Sequence, residues 1–215
     1  MKEPIAVEQP QQVAVNGVRQ SISGVHLRRF SLTEFQHLVE LGIFGEDERI
    51  ELLDGLLVEM SPINPRHAEC VDNLNETFTV LLHRKARVRV QSPITLEGQS
   101  SQPQPGVSVA VRRAEGYGER HMNAAEIFLL IEVADSSLNS DQTDKLKLYA
   151  AAGIPEYWIV NLVDNQLEVY QEPYFSATGE GAYKRKRTYS REETVAPQSF
   201  PECEVALTDI LPKGS

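Results

Sequence analysis

At 215 residues, with 41% hydrophobic and 24% charged side chains, the chain has the composition of an ordinary soluble globular protein with room for one sizeable core. A net charge of −10 argues against a general polyanion binder, so contact with nucleic acid would need a local basic patch or a bound cation. Cys70 and Cys203 match neither a metal-ligand spacing nor a disulfide framework, and no secretory signal or bilayer-length apolar run is visible, so a cytoplasmic location and no membrane partner are expected.

Residues 1–24 are rich in Gln, Val and Pro without periodicity and are expected to form a flexible tail, with residues 25–215 as a single domain. Ser31 and Glu34 have capping-box spacing at the start of a helix that should end near Gly42. Arg49–Met60 reads as a hairpin turning at Asp54-Gly55, with Glu51 an acid in an otherwise apolar strand. After Pro62 and Pro65 a helix is expected from Arg66 to Lys85, its stripe formed by His67, Val71, Leu74, Phe78 and Leu81. Short strands should follow near 87–91 and 94–97, then a polar loop over 98–105.

Pro105-Gly106 opens a strand over 107–111, a polar loop spans 112–126, and the buried-type strand 127–133 carries Glu132 near its end. A helix over 141–152 stops at Gly153 and places Lys145 on a stripe with Asp141, Leu148 and Ala152. The strands EYWIV and QLEVY, a loop over 171–182, the basic strand YKRKRTY and a closing VALTDIL complete the chain. This order predicts an α/β fold, a mixed sheet with helices packed against it. Trp158 is expected in the core, and Lys184–Arg187 to divide between two strand faces.

Phosphodiester hydrolysis needs a nucleophilic water and relief of the phosphate charge. A hard divalent cation supplies both, held by one or two carboxylates, and a lysine beside it can stabilise developing charge. Glu132 at a strand end and Lys145 facing the sheet fit that need. The bland readings are a solvated strand-end acid and a lysine paired with Asp141. Glu51 is a weaker candidate, and His67 alone reads as a helix-start histidine.

The stretch IEVADSSLNSDQTDKLKLYAAAGIPEYWIV, with ERIELLDGLLVEMSPINPRH upstream, resembles the Uma-type family of restriction-endonuclease-like proteins in the PD-(D/E)xK nuclease superfamily. The resemblance runs over residues 28–212. It implies a restriction-endonuclease-like sheet and a Mg²⁺- or Mn²⁺-dependent DNA endonuclease. Glu51, Glu132 and Lys145 would be catalytic, and Glu132 and the Val133 carbonyl would hold the metal. Arg66-His67 matches a recurrent Arg-His pair without an assigned role.

Where the family has Gln-Pro-Asp before the strand, this chain has Gln104-Pro105-Gly106, so Gly106 stands at the position of a missing metal-binding aspartate. The resemblance therefore implies an impaired endonuclease. The alternatives are a non-catalytic nuclease-fold domain that binds nucleic acid or a protein partner, and a scaffold without a ligand. Asp135, where the family more often has serine, is a candidate to replace part of the lost acid. Many nucleases pair two sites to cut two strands, which makes a homodimer an expectation that no residue pattern here demonstrates.

Overall fold

The structure is a computed structural model that describes residues 28–45 and 48–213; the expected tail over 1–24 lies outside the described residues. Helix α1 (Leu32–Glu40) starts as its capping box predicts. The Glu34 N–H donates to the Ser31 hydroxyl at 3.2 Å, and the Ser31 N–H donates to the Glu34 carboxylate at 2.9 Å. Strands β1 (Ile50–Leu53) and β2 (Leu56–Glu59) turn through Asp54 and Gly55, with φ of 48° and 74°. Helix α2 (Pro65–Leu81) begins at Asn64, whose side chain accepts the His67 N–H at 2.9 Å. It ends short of the expected Lys85 because Arg84 takes a left-handed φ of 61° that no right-handed helix continues.

Strands β3 (Arg87–Val90), β4 (Ile94–Thr95) and β5 (Val107–Ala110) follow. The polar loop expected before β5 is partly buried: it takes in Ser101 and Gln102, because Gln102 bridges to Leu52 of β1. The loop expected over 112–126 contains β6 (Met122–Asn123), which pairs in parallel with β4. After β7 (Ile127–Ala134), helix α3 (Leu138–Ser140), a π-helical segment (Asp141–Lys145) and α4 (Leu146–Ala151) form one unbroken rod. The rod starts three residues before the expected position 141. Strands β8 (Glu156–Asn161), β9 (Gln166–Phe175) and β10 (Gly181–Ser190) then run on, so the loop expected over 171–182 is mostly hairpin strand. The pair β11 (Thr194–Val195) and β12 (Val205–Ala206) and helix α5 (Leu207–Ile210) close the chain.

Six strands form the central mixed sheet in the order β10-β9-β8-β7-β5-β3. Every neighbouring pair is antiparallel except β7 and β8, whose parallel pairing requires the helical rod as its crossover. This is the α/β class expected, with helices on both faces. Alternation decides which side chain goes where. Leu129, Ile131, Val133, Trp158 and Val160 face α2 and α5, where Trp158 is fully buried against Phe78. Leu130, Ala134, Tyr157 and Ile159 face the rod, with Leu148 and Tyr149 above them. Glu132, between Leu130 and Ala134 in a period-two strand, must face the rod as well.

Candidate active site

The rod delivers three polar side chains to that face at spacing four: Asp141, Lys145 and Tyr149. Its π-helical segment widens the turn at Asp141–Lys145, a feature that recurs at functional sites. Lys145 Nζ lies 3.1 Å from Glu132 Oε1 and 3.2 Å from Glu51 Oε1, with Asp141 Oδ1 at 3.8 Å. Lys145 is 7% exposed, Glu132 6%, Glu51 3% and Asp141 1%, so the ammonium is not snorkelling to solvent and the acids are not solvated. The structure therefore brings together the three residues that sequence reasoning singled out.

Hydrogen bonds fix both glutamates. Tyr149 donates its hydroxyl to Glu132 Oε1 at 2.8 Å, and the Gly106 N–H donates to Glu132 Oε2 at 3.2 Å. The Gln104 N–H donates to Glu51 Oε2 at 3.1 Å, so the buried loop before β5 holds the β1 acid in place. Ser137 donates to Asp141 Oδ2 at 2.7 Å, while Asp141 Oδ1 has no hydrogen-bond donor among the described residues. Burial accordingly pushes the Asp141 carboxyl up to about 7, with Lys145 opposing and Glu132 reinforcing the shift. Burial alone works against the Lys145 charge, but Glu132, Glu51 and Asp141 together outweigh it and hold the ammonium above its ordinary range. The Tyr149 phenol is raised by burial and then by Glu132, which keeps it a donor.

Gly106 precedes β5 on the face shared with Ser108 and Ala110. A Cβ there would sit 3.1 Å from the Ile131 carbonyl oxygen, a contact that needs a few tenths of an ångström of relaxation. The Ala134 carbonyl accepts from the Leu162 N–H on the β8 side, so the alternating Val133 carbonyl turns the other way, toward the start of β5. His67 lies beside it. Burial and then Arg49 lower the His67 pKa, the Val133 backbone works against that, and Nδ1 has no partner among the described residues. Asp135 accepts from Asn64 Nδ2 at 2.6 Å at the start of α2, and no hydrogen bond or ion pair joins it to Glu51, Glu132 or Lys145.

These residues as they stand do not fit a divalent metal. The acids converge on the Lys145 ammonium, position 106 supplies no side-chain oxygen, and no group of three His, Cys, Asp or Glu among the described residues is placed to hold an ion. Sequence reasoning placed Asp141 only as a pairing partner for the lysine and missed Tyr149. The available signal was the continuation of the stripe from Lys145 by four residues.

The family model described as Uma2, putative restriction endonuclease, matches residues 32–208, a span that includes Glu51, Gly106, Glu132 and Lys145. A crystal structure described as a putative nuclease belonging to DUF820 from Anabaena variabilis ATCC 29413 has a TM-score of 0.67 and 16% sequence identity, covering 85% of this chain and 97% of that one. That similarity is one of fold. No curated protein matches the chain. Among the described residues no helix is long and apolar enough to cross a membrane, and Cys70 and Cys203 are free and buried.

Proposed function

This chain belongs to the Uma2 family of restriction-endonuclease-like proteins, and we propose that it is a DNA endonuclease of the PD-(D/E)xK type whose phosphodiester-cleaving centre lacks one carboxylate and is impaired for that reason. One observation carries this reading: Glu132 is clamped between the Lys145 ammonium and the Gly106 N–H, with backbone alone where a second acid would stand. Enzymes of this class generally use divalent metals, which supply charge relief and a nucleophilic water. Losing even an indirect partner of a metal ligand costs roughly 10–100-fold in affinity or activity, so loss of a direct carboxylate costs at least that.

In this reading Glu132 and the Val133 carbonyl are the remnants of the metal site. Lys145 balances the acids, and Glu51 and Tyr149 hold Lys145 and Glu132 in place. Asp135 is kept out of that role by Asn64. Two free, buried cysteines accord with a cytoplasmic setting. A second reading, a nuclease-fold domain that binds without cutting, is favoured by the mutual satisfaction of the acid–lysine cluster. The test is Gly106→Asp assayed for Mg²⁺- or Mn²⁺-dependent DNA cleavage. The impaired-nuclease reading expects cleavage to appear, whereas the binding-domain reading expects none.

A further inference from the structure

Strand β5 ends at Ala110, where a β-bulge offsets it from β7, and one further bond, from the Val111 N–H to the Glu126 carbonyl at 2.8 Å, precedes a loop. Arg112 and Arg113 sit on that departing loop. Beside them the left-handed turn at Arg84 presents Arg84 and Lys85, and Arg87 begins β3. The five cations and Glu115 line one open depression of ≈ 650 Å³. Lys85 is paired with Glu202 at 2.8 Å, and Arg113 with Glu115 and Glu126. Arg84, Arg87 and Arg112 form no ion pair with any described carboxylate, in a chain whose net charge is −10.

The wall of this depression is built before any ligand arrives. The Tyr117 hydroxyl donates to the Val111 carbonyl at 2.8 Å, Arg89 donates to the Tyr117 carbonyl at 3.2 Å, and Arg120 grips Glu126 through two bonds of 2.7 Å. Those contacts pin the loop that carries Arg112 and Arg113. Half-buried Phe128, packed edge-on against Phe200 at 5.4 Å, supplies an apolar floor. Arg89 is thus taken up by the loop, whereas Arg112 faces solvent.

We propose that this depression is a phosphate-binding surface for a nucleic-acid strand, separate from the Glu132 cluster. Arg112 lies beyond the far end of β5 from Gly106, roughly 20 Å away at about 3.3 Å per residue. Arg84 and Arg87 stand on one segment and Arg112 on another around an open floor, with no enclosed cradle, an arrangement that suits successive phosphates along a strand better than one small phosphate. The surface needs no activity at Glu132, so its test is independent of the fate of Gly106→Asp.

The experiment measures binding of the full chain to a labelled duplex oligonucleotide across a range of salt, for the wild type, Arg87→Gln/Arg112→Gln and the charge-matched Lys184→Gln/Arg187→Gln. With two phosphate contacts removed, the slope of log K against log salt should become shallower by about 1.8, with affinity in low salt at least about tenfold weaker. The β10 variant should stay near wild type. Arg84→Asn, which tolerates the left-handed turn, should weaken binding in the same direction and serves if the double variant does not fold. Wild-type affinity in the depression variants, equal weakening by the β10 pair, or no duplex binding at low salt would overturn the proposal. Displacement of the duplex by inorganic phosphate at equal phosphate concentration would also overturn it, in favour of a free-phosphate site.

Discussion

The Gly106 N–H donates to Glu132 Oε2 across 3.2 Å, so the residue without a side chain touches the buried acid through its backbone. The other Glu132 oxygen faces Lys145 and Tyr149. Three protein donors therefore hold the carboxylate, two on Oε1 and one on Oε2, and the cluster reads at once as the frame of a nuclease centre and as a buried polar lock.

Lys145 neutralises that lock, and its removal should be costly. Lys145→Met keeps the bulk but leaves Glu51, Glu132 and Asp141 without their cation. Removing one partner of a buried ion pair typically costs about 3–5 kcal/mol. Urea unfolding at neutral pH should show a loss of that order. A change within about 0.5 kcal/mol would mean that the acids do not depend on the lysine.

Tyr149→Phe is a gentler cut. It removes one hydroxyl donor to Glu132 Oε1 while Lys145 and Gly106 remain. Hydrogen bonds to charged groups are worth about 1.5–3 kcal/mol, so the variant should be less stable than wild type but more stable than Lys145→Met. The reverse order in the same unfolding assay would contradict the division of roles.

Asp141 gives the cluster a pH signature. Burial raises its carboxyl from 3.8 to about 7, with Glu132 adding to the rise and Lys145 opposing it. Between those values the folded state keeps a proton that the unfolded chain has lost, so this group's contribution to stability falls as pH rises across the window. The slope is at most about 1.4 kcal/mol per pH unit. Asp141→Asn cannot titrate and lacks that negative contribution, so from about pH 4 to about pH 7 its stability should fall less, or rise more, with pH than that of the wild type. Identical slopes for the two proteins would show that Asp141 titrates normally.

Much of this was legible in the sequence, for physical reasons that can be named. The Asp54-Gly55 turn has few conformations open to it, and Ser31 with Glu34 satisfies specific helix-end donors, so both local elements form as the residues dictate. Glu132 stands out because an acid in an apolar strand must be compensated. Less legible were contacts made by distant backbone. Nothing local shows that the loop before β5 packs on β1 and gives its Gln104 N–H to Glu51. The π-helical turn was also hidden, because the apolar stripe is read at a period of 3.6 and a single widened turn leaves it almost unchanged. The end of α2 escaped because Arg84 is an unusual residue for a left-handed turn.

On the proposed function, one missing acid separates this chain from a working nuclease centre. The most direct test is metal-dependent cleavage of supercoiled DNA by the wild type, Gly106→Asp and Gly106→Asp/Glu132→Gln. Gly106 has no left-handed φ, and the Cβ of an aspartate there requires the Ile131 carbonyl to give by a few tenths of an ångström. In parallel, Mn²⁺ should raise the unfolding temperature of Gly106→Asp, because a ligand bound only by the folded state stabilises it. Wild-type cleavage is expected at or near background, with at least about tenfold faster cleavage by Gly106→Asp and loss of that gain when Glu132 is replaced. A folded Gly106→Asp that neither cuts nor responds to Mn²⁺, or cleavage that survives Glu132→Gln, would contradict the proposed function.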